Sequence, residues 1–300
     1  MEMIAHAPPD RCFLCNEPTR LVGAGFRQEY EQKNAAPVFL HWWECRACKG
    51  WFVHPVPAPE VIEEHWGVID YNQERNAIEL SRAKCRLQRK ILVDLSSIAE
   101  AGSLLDFGAN FGDFLLMARD AGWTPYGFEP CTNAAAAARA KGLDVRDGWS
   151  LEEAGFEEGT FAAIVANDSF CFAWRPIDTL KTFQRLLKPR GILVMRLTNK
   201  RFVLGVTRAF SKVGSSRNEK ISRILKTQFH SIGVGSLRRI LEAVGFEDVK
   251  IQPRAMTAPW SAHSWQTQAA YLGAAILYCL SLKTVNLSPG ILLFARKNIP

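Results

Sequence analysis

From residue 103 onward the chain alternates short apolar runs with segments of helical period. Leu104 and Leu105, the stretch FAAIVAND, and the runs GILVMRLTN and ILLFARK are too short for helices and continuously apolar, which reads as strands buried on both faces. Between them, CTNAAAAARAKG predicts a helix with Thr132 or Asn133 as N-cap and Gly142 as stop, and DTLKTFQRLLKPRG predicts an amphipathic one. SLRRILEAVGFEDVKIQP predicts a helix capped by Ser236, closed by Gly245 and followed by a strand. Upstream, Leu80, Ala83, Leu87, Ile91 and Leu95 recur at three- and four-residue steps and mark one face of a long helix. Strands alternating with helices predict an α/β fold with a doubly wound sheet.

The turn after the first of these strands carries the chemistry. In SLLDFGANFGDFL, Asp106 to Gly112 form a tight turn before an apolar helix, where Gly108 and Gly112 tolerate positive φ and the helix start offers unpaired N–H groups. Asn110 and Asp113 stand where a dinucleotide fingerprint needs its second and third glycines, so pyrophosphate fits poorly. Asp106 adds a carboxylate, which repels phosphate and attracts the ammonium and sulfonium of S-adenosylmethionine. The next strand, TPYGFEP, ends in Glu129, about 20 positions beyond the glycine turn and placed to accept both hydroxyls of a ribose. Asn167 and Asp168 end the fourth strand at the carboxyl edge, where ligands sit in open α/β sheets.

The ordered set LLDFGANFG, YGFEP, FAAIVANDSF, LLKPRGILVMRLTN and LRRILEAVGFEDVKI resembles the class I S-adenosylmethionine-dependent methyltransferases over roughly the last two thirds of the chain. The resemblance implies a seven-stranded Rossmann-like sheet and a cofactor site at Asp106, Gly108, Asn110, Gly112, Glu129, Pro130 and Asn167. It also implies adenine contacts at Asp147 and Gly148, and an aromatic from the preceding segment, Tyr71, over the cofactor. The chain departs from the family in two places: Arg190 replaces a glycine of the KPGG turn, and the His often found after the fourth strand is absent from DSFCFAW. Methyl transfer to an oxygen needs a base; His230, in TQFHSIG, and Asp168 are the candidates near that edge.

Before the sheet, Cys12 and Cys15 form one Cys-x-x-Cys pair and Cys45 and Cys48 another. Two such knuckles make a tetrahedral thiolate site, with zinc the expected metal and an iron–sulfur cluster the alternative for the same ligands. The strand-like RLVGAGF and PVFLHWWE between them predict a small zinc ribbon whose core is Trp42, Trp43, Trp51 and Phe52. Such a site is closed, hence structural. The expected division is a ribbon at 1–58 and a methyltransferase domain at 59–300, interrupted by a basic insertion at 200–232 and an apolar one at 254–287.

Composition changes this picture only at the margins. A net charge of +7 is mildly basic. In the basic insertion Arg201, Arg208, Lys212, Arg217, Lys220, Arg223 and Lys226 are spaced among apolar residues, consistent with a lid for an anionic acceptor, peripheral contact with an anionic membrane, or a solvated face. The apolar run WQTQAAYLGAAILYCLSL is shorter than the roughly 20 residues a span requires. MEMIAHAPPDRC has no signal-peptide pattern, so the cytoplasm is the expected compartment. The expected acceptor is a small molecule: a sugar, a polysaccharide or a lipid-linked precursor. Strand four ends in NDSF, lacking the Asn-Pro-Pro-aromatic motif of amino-group DNA methylation, which counts against nucleic acid. A nucleic-acid methyltransferase and a non-catalytic module of the same fold are the alternatives.

Overall fold

A computed structural model describes residues 11–12, 14–28, 38–54, 78–173, 175–200, 202–205, 228–254, 265–281 and 288–299. Tyr71, most of the basic insertion and part of the apolar one lie outside these residues.

Three strands come first, β1 (Thr19–Gln28), β2 (Val38–Cys45) and β3 (Trp51–His54), paired antiparallel in that order. After them α1 (Ile78–Ser96) leads into β4 (Ser103–Phe107), α2 (Asp113–Asp120), β5 (Thr124–Phe128), α3 (Thr132–Arg139) and β6 (Asp144–Arg146). The second half runs through β7 (Phe161–Asn167), a short 3-10 turn at Phe170–Phe172, α4 (Pro176–Leu186), β8 (Leu187–Thr198), β9 (His230–Ser231) and α5 (Val234–Val244). It closes with β10 (Phe246–Arg254), α6 (Trp265–Leu280) and β11 (Gly290–Lys297).

Seven strands form one mixed sheet in the order β10-β11-β8-β7-β4-β5-β6, with β11 antiparallel to both neighbours and the β8-to-β6 pairs parallel. The continuous apolar runs follow from covering on both faces. Leu104 packs with Ile91 and Leu95 of α1, while its neighbour Leu105 packs with Leu180 and Phe183 of α4 and Leu237 and Leu241 of α5.

Two expected caps are corrected. The α3 N-cap is Cys131, whose N–H is held by Glu129. The α5 N-cap is Gly233, which leaves the Ser236 hydroxyl free to reach elsewhere. Gly245 does close α5, at φ 103.

The KPRG segment is a bulge inside β8, where the partners jump from Phe161↔Leu187 to Ala163↔Ile192. Arg190 there takes φ 61, in the left-handed region. For an L-residue that conformation costs about 1–2 kcal/mol, against about 0.5–1 kcal/mol of extra chain entropy that glycine must lose. Arg190→Gly is therefore expected to raise the unfolding free energy by about 0.5–1 kcal/mol in chemical denaturation; a destabilised variant would show that the arginine side chain outweighs its backbone.

Candidate functional site

The turn between β4 and α2 is built around a buried carboxylate. Glu129, just past β5, accepts the Asn110 N–H at 2.7 Å on one oxygen and the Cys131 N–H at 2.9 Å on the other. It thus ties the glycine turn to the start of α3, and each oxygen keeps a lone pair for a further donor. Asn110 itself adopts φ 49 and caps the turn by accepting the Phe111 N–H.

Both glycines are required by the protein's own packing. Gly108 lies at φ +86, and a Cβ there would meet the Ser169 Cβ at 2.4 Å. Gly112, at φ +76, abuts Leu143 and Ala138, so α2 starts hard against α3. Ser169 is a contributor that motif reading missed: its hydroxyl donates to the Phe107 carbonyl and locks the loop after β7 onto the glycine turn.

Electrostatically, this corner favours a cation. Asp106 is fully buried, and burial pushes its carboxyl well above the ordinary range, opposed by Lys84 and reinforced by Glu129. Burial also raises Glu129, against the pull of the two N–H groups. Two carboxylates that burial disfavours as anions regain them when a positive ligand sits alongside. Asp147 sits at the exposed end of β6 in an ion pair with Arg139 at 2.9 Å, and Gly148 follows at φ 151.

On the other side of β4, the end of the adjacent strand β7 holds unsatisfied polar atoms. Among the described residues, Asn167 Oδ1 and Asp168 Oδ1 are buried with no hydrogen-bond partner. Asp168 adopts φ 62, and its Oδ2 pairs with the guanidinium of Arg196 on β8, which is 3% exposed. Burial lowers Arg196 to about 10, leaving it charged at neutral pH. Arg196 was not singled out from the sequence, although a charge inside the apolar run GILVMRLTN signals a buried partner.

His230 lies buried behind this edge, against the turn that follows Asp168. It lies in β9, opposite Phe52 of β3, is 3% exposed and meets the Phe170 ring edge-on at 5.3 Å. Burial, and next the charge of Lys200, push it down to about 3. A group so weakly basic and so covered is ill suited to taking a proton from an acceptor.

β9 instead joins the N-terminal strands into a second sheet, β1-β2-β3-β9. The Val53 N–H donates to the Phe229 carbonyl at 2.8 Å, and the Ser236 hydroxyl donates to the Cys48 carbonyl at 2.8 Å. Lys200, 1% exposed, stacks its ammonium 4.5 Å above the Trp42 ring, and burial lowers it to about 7. The cysteine module is thus fastened to the segment that follows β8.

The four sulfurs of that module converge. Sγ atoms of Cys12 and Cys48 are 3.6 Å apart, those of Cys15 and Cys45 3.5 Å, and all four lie within 4.8 Å of one another. A tetrahedral S₄ site with metal–sulfur bonds of about 2.3 Å needs sulfurs about 3.8 Å apart, so the donor set fits such an ion. The knuckles match locally as well: the residue after each second cysteine, Asn16 and Lys49, is left-handed at φ 58 and 55. Backbone N–H groups of Leu14, Cys48 and Gly50 point at Cys12, Cys45 and Cys48 sulfurs respectively.

A family model for a methyltransferase domain matches residues 80–251, more than half of the chain. The chain belongs to that methyltransferase family. The match starts inside α1 and ends in β10, enclosing the glycine turn, Glu129 and Asp168. Among solved structures, an S-adenosylmethionine-dependent methyltransferase of Thermotoga maritima aligns at TM-score 0.53 and 17% identity, over 80% of this chain and 100% of that one. The phosphoethanolamine N-methyltransferase 2 of Haemonchus contortus, solved with S-adenosylmethionine, aligns at TM-score 0.53 and 14% identity, over 94% of this chain and 69% of that one. At these identities the likeness is one of fold. No curated protein matches the sequence. Taken with the seven-stranded sheet, the chain is a methyltransferase of the Rossmann-like type. Among the described residues no helix is long and apolar enough to cross a membrane.

Proposed function

We propose that this methyltransferase carries S-adenosylmethionine on the β4–β5 side of the carboxyl edge and a small-molecule acceptor on the β7–β8 side. The acceptor class that suits it is a sugar, polysaccharide or lipid-linked precursor. The observation that carries the reading is the pairing of a buried carboxylate corner, Glu129 with Asp106, with unpartnered acceptor atoms on Asn167 and Asp168 at the end of the adjacent strand β7.

Bound there, the cofactor supplies an electrophilic sulfonium methyl. Glu129 accepts the ribose hydroxyls on the lone pairs its backbone donors leave unused, while Pro130 fixes the chain that follows. Asp106 offsets positive charge, and the Gly108–Gly112 turn, with Asn110 at φ 49, presents backbone beside it. Asp147 and Gly148, just past β6, would border the adenine as the family resemblance implies. Asp168, held by Arg196, directs its second oxygen at the acceptor and orients or relieves its proton. Most of the acceleration then comes from alignment in a dry site. Tyr71 lies outside the described residues and is not given a role. The reading extends to the cysteines: Cys12, Cys15, Cys45 and Cys48 hold one zinc ion in a closed structural site, which supplies folding energy and no chemistry.

Calorimetric titration with S-adenosylmethionine tests the cofactor half. Glu129→Ala is expected to weaken binding by about 1–3 kcal/mol, because it removes the ribose acceptor and orphans two N–H groups. Glu129→Gln, which keeps one acceptor oxygen, should fall between. An unchanged dissociation constant would reject the ribose assignment, and absence of binding by the native chain would reject the reading as a whole. An acceptor screen with methyl-labelled cofactor then identifies the second substrate.

A further inference from the structure

The helix α6 is built inside out. Its 16 residues, WQTQAAYLGAAILYCL, contain no Asp, Glu, Lys or Arg, and its outward side is the apolar one. Trp265 is 74% exposed, Leu272 60%, Ile276 50% and Leu280 75%, at steps of seven, four and four that place them on one stripe about 24 Å long; Leu277 adds 49% beside it. Ala274, on the opposite side, is buried. A soluble helix of this exposure normally shows its charges outward, so the stripe calls for a partner.

The register of the large sheet indicates which. Thr198 of β8 pairs with Gly290 of β11, which pairs with Arg254 of β10, and the Asn199 N–H donates to the Pro289 carbonyl. The segment containing α6 therefore leaves and re-enters the sheet at the corner where the chain after β8 also departs. That chain, residues 201–227, carries seven Lys and Arg against the single acid Glu219. A charge-free apolar stripe with a tryptophan at one end, tethered at one corner with a strongly basic stretch, is the combination that an anionic lipid surface satisfies: acyl chains take the stripe and headgroups take the cations. A second copy of the chain is a poorer match. The five side chains expose on the order of 600 Å², only the lower end of what a stable dimer buries per partner, and an apolar self-contact offers nothing to the seven cations of residues 201–227.

We propose that the outward face of α6 is a membrane-docking surface that rests in the interface of an anionic bilayer. It lies flat there, since α6 is too short to span. The inference is independent of the acceptor and of the cofactor site.

The test is co-sedimentation of the full-length protein with vesicles of phosphatidylcholine alone and of phosphatidylcholine mixed with phosphatidylglycerol. Binding is expected only to the mixed vesicles, weakening as salt is raised, and falling about tenfold or more in Leu272→Glu and in Ile276→Glu. Both substitutions are at exposed positions and should leave the circular dichroism spectrum and S-adenosylmethionine affinity unchanged. Quenching of tryptophan emission by brominated lipid should drop in Trp265→Phe. No binding to anionic vesicles at low salt would overturn the proposal. So would binding that both glutamate variants retain, or a dimer in sedimentation velocity that those variants dissociate while vesicle binding is absent.

Discussion

Replacing Asp168 with asparagine is expected to lower kcat by about 10²–10⁴-fold while moving S-adenosylmethionine affinity by no more than about threefold. The side chain has one oxygen committed to the Arg196 guanidinium and the other buried without a partner among the described residues. Its backbone is left-handed, at φ 62. Asparagine keeps the shape and tolerates that φ, so geometry survives while the charge that would draw off or orient an acceptor proton is lost. The substitution also leaves Arg196 buried without its counter-charge. Arg196→Lys separates the two effects: a lysine retains the charge but loses the planar fork that fixes the carboxylate, so kcat should fall by an intermediate factor with a KM for acceptor that rises. A folded Asp168→Asn enzyme with native kcat would remove Asp168 from the reaction.

The parts of this fold that could be read from sequence are those set by local chemistry. A glycine turn after a buried strand, an acid at the end of the next strand, and two Cys-x-x-Cys pairs each carry their signal within a few residues, and the structure places all of them as such. What was illegible depends on register between distant segments. β9 is two residues long and has no periodicity of its own; it exists because it pairs with Trp51 and Phe52, nearly 180 positions earlier. That pairing buries His230, whose place in the sequence near the carboxyl edge makes it a candidate base. Ser236 looked like a helix cap because Ser favours caps, yet its hydroxyl is drawn to the Cys48 carbonyl. The charge of Arg196 inside an apolar run signals a buried partner, but which partner follows only from the alignment of β7 and β8, with Asn167 opposite Arg196 and Asp168 next in the chain.

The same long-range contacts make metal removal the second large effect. Chelation, or Cys45→Ser, is expected to release about one zinc per chain and to lower the melting temperature by about 10 °C. Structural zinc sites contribute free energy well beyond a few kcal/mol, and each kcal/mol shifts a domain of this size by about 2–4 °C. Among the described residues the module's buried apolar side chains are few, Trp42, Trp51, Phe52 and Val53, with Phe52 packed against the cysteines. Losing it removes the partner of β9 and the acceptor for Ser236. The Phe229 N–H that donates to the Cys171 carbonyl would loosen with it, three residues from Asp168, whereas Glu129 and the glycine turn are held by contacts that do not involve the module. Catalysis should therefore suffer more than cofactor binding, with kcat down at least about tenfold and the S-adenosylmethionine dissociation constant within about threefold. Protein purified without chelators and free of metal would reject the zinc assignment. A metal-bearing protein whose kcat survives zinc loss while its melting temperature falls would show that the module stabilises the chain without shaping the acceptor edge, since the β3–β9 pairing would then be dispensable for holding Asp168.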